Sequence, residues 1–133
     1  MIVRTGFILL LLGSSTLLAR DFGQYAQGDP AIGQWFREQR SPKTHIPCCS
    51  EADGTKARED IRGEHYWTRF IAQAHEGSGV KNSPVGGEVD SDWMEVPDDV
   101  VIHGPNLNGA PTVWYFFENG ALKIRCYSPG AGT

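Results

Sequence analysis

The segment Thr112-Val113-Trp114-Tyr115-Phe116-Phe117-Glu118-Asn119-Gly120-Ala121-Leu122-Lys123-Ile124-Arg125-Cys126-Tyr127 decides the fold. Two runs rich in β-branched and aromatic residues, Thr112–Phe117 and Leu122–Tyr127, flank Glu118-Asn119-Gly120-Ala121. Asn-Gly tolerates positive φ at both central positions, which the two-residue type I′ turn of a tight hairpin requires. Such a turn sets the register, with Phe117 opposite Leu122, Tyr115 opposite Ile124 and Val113 opposite Cys126 on one apolar face. The other face then pairs Phe116 with Lys123, Trp114 with Arg125 and Thr112 with Tyr127. That register predicts Cys126 in the core and Trp114 beside Arg125, placed for a cation–π contact.

Cys126 needs a partner, and the other two cysteines are adjacent, in Pro47-Cys48-Cys49-Ser50-Glu51-Ala52-Asp53-Gly54. In an oxidising compartment the three predict a disulfide from Cys126 to Cys48 or Cys49, and sequence leaves that choice open. A vicinal Cys48–Cys49 bond is the strained alternative. The long loop closed by the predicted bond gives it a worth of about 4–5 kcal/mol in the chain-entropy model.

The N-terminus supplies the compartment. Arg4, the apolar run Phe7–Leu12 and a small residue at Ala19 match a secretory signal peptide over residues 1–19. The run is shorter than the roughly 20 residues of a membrane span. The expectation is export to the periplasm or medium, no stable membrane anchor after cleavage, and a single small domain over residues 20–133. Cleavage removes Arg4 and no acid, so 11 basic residues face 16 acidic ones, a formal charge of −5. An acidic balance argues against the basic surface that nucleic acid or an anionic membrane requires.

Upstream of the hairpin, Asp29-Pro30 reads as a helix N-cap followed by proline at the first helical position. Ile32, Trp35 and Phe36 then form one apolar stripe, and Ser41-Pro42 ends the helix. Lys43–Ile61 is polar. Tyr66–Ala72, Trp93–Val96 and Val100–His103 have the composition of strands, whereas Glu76–Ser91 reads as a turn-rich loop. The fold class is α+β: one short N-terminal helix packed on a small antiparallel β-sheet, loop-rich and disulfide-stapled.

Gln34-Trp35-Phe36-Arg37, Pro47–Gly54, Trp93-Met94-Glu95-Val96-Pro97 and Ile124–Thr133 together carry a resemblance. The chain resembles a family of short exported proteobacterial proteins of unknown function, marked by a helix, a Cys-Cys motif, a Trp-containing strand and a C-terminal Cys-x-x-Pro-Gly segment. Many members carry further cysteines near Asp53-Gly54 and Val113, where this chain has none. The resemblance implies export and a single domain, and no mechanism.

Several chemistries compete for the remaining residues. Trp114, Phe116, Lys123, Arg125 and Tyr127 form an aromatic–basic face suited to a sugar or peptide, unless Trp35 and Phe36 cover it as a second core. His45, Cys48 and Cys49, with His65 or His103, are the candidates for a soft metal ion, although their spacing matches no zinc pattern. Cys49-Ser50-Glu51-Ala52-Asp53-Gly54 through Asp60 imitates a calcium loop but has Cys49 where an aspartate is needed. A thiolate nucleophile would pair Cys49 with His45 or His103, yet Glu51 and Asp53 raise a thiol pKa. The adjacent acids Glu59-Asp60 and Asp98-Asp99 point apart on an ordinary chain, which argues against a glycosidase pair. No catalytic residue and no cofactor is assigned. The expectation is a non-catalytic periplasmic structural or binding module, with an envelope protein or glycan as partner. A cell-envelope hydrolase using a Cys/His pair and a thiol/histidine metal-binding protein are the alternatives.

Overall fold

A computed structural model describes residues 29–48, 54–81 and 83–132. The expected signal peptide and the lead-in 20–28 lie outside these residues, as do Cys49, Glu51 and Asp53.

Helix α1 spans Pro30–Glu38, capped by the Asp29 carboxylate, which accepts from the Ala31 N–H at 2.8 Å. Its stripe works as the spacing predicts: Trp35 and Phe36 are buried and Ile32 packs beside them. The chain then turns back on itself. The Ser41 N–H donates to the Ile46 carbonyl and the Cys48 N–H to the Gln39 carbonyl, both at 2.9 Å. His45 takes the left-handed φ of 61° that this reversal needs. Cys48 thereby returns to the end of the helix.

The strands are β1 (Thr55–Lys56), β2 (Arg58–Arg62), β3 (His65–Arg69), β4 (Ile71–Gln73), β5 (Glu88–Asp90), β6 (Met94–Glu95), β7 (Thr112–Glu118) and β8 (Ala121–Ser128). They form three small antiparallel sheets in the orders β1-β7-β8, β2-β3-β6 and β4-β5. The class is α+β and mostly β, as expected. Local assignments differ in places. Tyr66–Ala72 breaks at Phe70, whose N–H turns aside to the Ser91 hydroxyl at 2.9 Å. Val100–His103 is not a strand: Pro97 starts a 3-10 turn over Asp98–Val100, and only Val101 bridges to Tyr127. Strands β1 and β2 lie in the stretch read as polar, and β5 in the one read as loop. Arg-Glu-Asp-Ile-Arg in β2 has one apolar residue, so its ladder to β3 rests on backbone pairing that no hydropathy pattern displays.

The hairpin turn is type I′, with φ of 51° at Asn119 and 82° at Gly120. The pairs Phe117–Leu122, Phe116–Lys123 and Tyr115–Ile124 hold as predicted. Beyond them the register shifts at an irregularity between Trp114 and Tyr115, so that Trp114 pairs with Cys126, Val113 with Tyr127 and Thr112 with Ser128. One extra residue on β8 exchanges the faces of everything after it. This corrects two placements. Tyr127 joins Val113 and Ile124 in the main core, with Phe70, Ala72, Val96, Val100 and Val101. Cys126 sits instead on the opposite face with Trp114, under Trp35, Phe36 and Cys48. The expected staple is the Cys48–Cys126 disulfide, with Cα atoms 5.9 Å apart. The helix does cover the Trp114 end of that face and makes a second core there. The Trp35, Phe36 and Trp114 rings meet at centroid separations of 4.9 to 6.1 Å.

Tyr127 also joins two sheets. Its ring lies 5.7 Å from that of Tyr66 on β3, and its hydroxyl donates to Glu59 Oε2 on β2. Burial, then the Glu59 carboxylate, pushes the hydroxyl far above the ordinary tyrosine range, so it stays a donor.

At the hairpin tip, the Gly120 N–H donates to the Ser78 carbonyl at 3.1 Å, and a Cβ on Gly120 would come 2.5 Å from the Gly79 carbonyl oxygen. Gly120→Ala therefore meets both a left-handed φ and a backbone clash. Denaturant unfolding of this variant is expected to show a loss of about 2 kcal/mol. A neutral result would mean that the tip does not dock on residues 78–80.

Candidate functional site

The five residues of the expected aromatic–basic face divide. Trp114 and Tyr127 are fully buried, Trp114 under the helix and Tyr127 on the other side of the ribbon after the bulge. Phe116, Lys123 and Arg125 remain accessible and line one groove of about 590 Å³. The Arg125 guanidinium stacks 5.1 Å over Phe116, the cation–π partner that replaces Trp114.

Leu122, Lys123, Ile124 and Arg125, four consecutive residues of β8, all line this groove. Successive side chains of a strand point to opposite faces, so a surface touching four in a row runs along the strand's edge. β8 is the outer strand of its sheet, and beyond Arg125 its edge is covered by the Val101 bridge and by the Ile102 N–H, which donates to the Tyr127 carbonyl at 2.7 Å. Among the described residues, no neighbouring strand pairs with that edge from Ala121 to Arg125. A two-residue turn makes Glu118–Ala121 a hydrogen-bonded pair, and by alternation Leu122 and Ile124 aim their N–H and C=O groups outward. Among the described residues, neither takes part in a backbone hydrogen bond outside the hairpin ladder.

Met94 and Glu95 of β6, the outer strand of the second sheet, line the same groove. The turn after the helix contributes Lys43 and Ile46, the latter 45% exposed. Lys43 Nζ and Asp99 Oδ2 pair at 2.8 Å, tying that turn to the 3-10 segment. At this exposure the pair is worth roughly 0–1 kcal/mol. The rim is thus basic along β8, at Lys123 and Arg125, and acidic at Glu95 and Asp99.

Just outside the groove, His65 Nδ1 lies 3.1 Å from Asp98 Oδ1 and 3.7 Å from Glu95 Oε1. The hydrogen bond to Asp98, then the charges of Asp98 and Glu95, raise its pKa above the ordinary value. His65 is therefore engaged with carboxylates rather than with sulfur. His45 and His103 are exposed, and Cys48 is committed to its disulfide. Among the described residues no group of three or more His, Cys, Asp or Glu side chains is gathered that could hold a metal ion. Cys49, required for the thiolate–histidine and calcium arrangements, lies outside the described residues; Glu59 and Asp60 alternate across β2.

No family model, curated protein or solved structure matches the chain. The groove therefore has to be read from its own geometry. The residues missed from sequence are Leu122 and Ile124 as carriers of an open edge, and Met94 and Glu95 across from them. One signal was present: Lys123 and Arg125 in an otherwise apolar strand are the charges that edge strands carry against self-pairing.

His65 gives the site a pH dependence. In an NMR titration its ring is expected to titrate above the ~6.5 of a free histidine, and Asp98→Asn to lower that midpoint. Because the folded pKa is raised, the contribution to stability is complete below about pH 6.5 and is lost as pH rises through the folded value. A His65 midpoint at or below ~6.5 would contradict the geometry.

Proposed function

We propose that the chain is a non-catalytic binding module of the periplasm that takes up an extended segment of an envelope protein along the open edge of β8. One observation carries the reading: the groove is walled by consecutive residues Leu122–Arg125, so it offers backbone donors and acceptors rather than one side-chain face. An added strand would pair with the Leu122 and Ile124 backbone. Its side chains would alternate between the apolar Phe116, Ile46 and Met94 surfaces and the solvent. Lys123 and Arg125 would repel the same edge of a second copy, which favours a different, acidic or neutral partner.

Export is part of the proposal. It is supported by the pattern of residues 1–19 and by a disulfide of the kind that oxidising compartments maintain. The resemblance to short exported proteobacterial proteins points the same way.

Strand addition has a specific chemical test. A peptide selected on the folded protein from a random display library should lose about tenfold or more in affinity when the alternate amides facing β8 are N-methylated, and little when the intervening ones are. Equal sensitivity of both sets, or selection of no peptide, would overturn the reading.

A further inference from the structure

A second cleft, of about 480 Å³, is lined by residues from all three sheets. Lys56 comes from β1, Arg58 from β2, Arg69 from β3, Ile71 from β4 and Asp90 from β5, with the buried Phe70 beneath them. Three cations thus meet one acid, in a chain whose formal net charge is −4. That acid is already taken. Arg69 Nε donates to Asp90 Oδ1 at 3.0 Å and Nη2 donates to Oδ2, a bidentate pair. The Arg69 hydrogen bond holds the Asp90 carboxyl down at about 2, so the pair persists at any ordinary pH. Asp92, outside the cleft, adds its charge to the same arginine.

The other two cations are left over. Arg58 stands directly across the β2–β3 ladder from Arg69. Like charges in that position repel and weaken a sheet unless something neutralises them. Asp60, two residues along the same face of β2, is engaged by Arg62 Nε at 2.8 Å. Among the described residues neither Lys56 nor Arg58 forms an ion pair, and both side chains are exposed to an incoming ligand.

Charge and shape select the ligand. With Arg69 and Asp90 neutralising each other, Lys56 and Arg58 leave two positive charges, which match a dianion better than a single carboxylate. Arg58 offers a planar fork to two oxygens and Lys56 a flexible point charge, a combination suited to a tetrahedral phosphate. The cleft has the size of a small-molecule site, and Ile71, 46% exposed, gives it an apolar wall for an organic group. The acidic balance of the chain opposes approach to an anionic bilayer, which favours a soluble ligand. We propose that this cleft, separate from the β8 edge, binds a small soluble phosphate monoester. The Arg58 fork takes two phosphate oxygens, Lys56 takes a third, and the organic part lies against Ile71.

The test follows amide NMR spectra of the purified protein during titration with glucose 1-phosphate, at an ionic strength held constant with sodium chloride. Saturable shifts are expected at the Lys56, Arg58 and Arg69 amides, with those of Lys123 and Arg125 unmoved. Arg58→Gln and Lys56→Gln, both at exposed side chains, should keep the parent amide pattern and each weaken binding about tenfold or more. Arg58→Lys keeps the charge but loses the fork, and should also bind less tightly than the parent. The proposal is overturned if glucose 1-phosphate gives no saturable shift at these amides, or if both glutamine variants bind as the parent does. It is equally overturned if succinate, a dianion of two separate carboxylates, binds there more tightly than the phosphate ester.

Discussion

The Cys48–Cys126 disulfide joins segments 78 residues apart in sequence, and both take their position from it. A nine-residue helix such as α1 is marginal in water and needs tertiary support. Here the support is local and covalent together. The turn after the helix returns Cys48 to it by the bond from the Cys48 N–H to Gln39. The disulfide then fixes that turn to β8, and Trp35 and Phe36 close over Trp114. Gly54 shows how closely the chain passes: a Cβ there would lie 2.7 Å from Phe36 Cε1 and 3.0 Å from Trp114 Nε1. This second core exists because Cys126 and Trp114 share a face.

That sharing is a consequence of the bulge. Without the extra residue in β8, Cys126 would point into the main core and Tyr127 would take the face under the helix. With it, the phenol of Tyr127 reaches Glu59 and ties the β2-β3-β6 sheet to the hairpin sheet. A single unpaired residue thus assigns one side of the ribbon to the disulfide core and the other to the joining of sheets. Phe116 and Lys123, on the tip side of the bulge, keep their regular pairing and line the groove with Arg125.

The sequence disclosed those parts of the fold whose signal is local. Asn119-Gly120, the Asp29-Pro30 cap and the Ile32/Trp35/Phe36 stripe each act within a few residues, and each appears where the pattern placed it. The bulge was not legible, because alternating residues are compatible with a regular ladder until the partner strand is known. Val100–His103 has the same root: its composition suits a strand, whereas Pro97 and the following 3-10 turn deliver the valines to the core without one. The site was only partly legible. Residue type singled out the basic and aromatic members of the groove. The open edge of β8 is a property of what fails to lie beside it, which no stretch of sequence states.

The central claim is that Cys126 pairs with Cys48 on the helix-covered face of the hairpin. Non-reducing peptide mapping of the purified protein, with free thiols alkylated before digestion and the bridged peptide fragmented between Cys48 and Cys49, tests it directly. The account predicts a cross-link between Cys48 and Cys126. A bond from Cys126 to Cys49, a Cys48–Cys49 bond, or an alkylated Cys126 would contradict it.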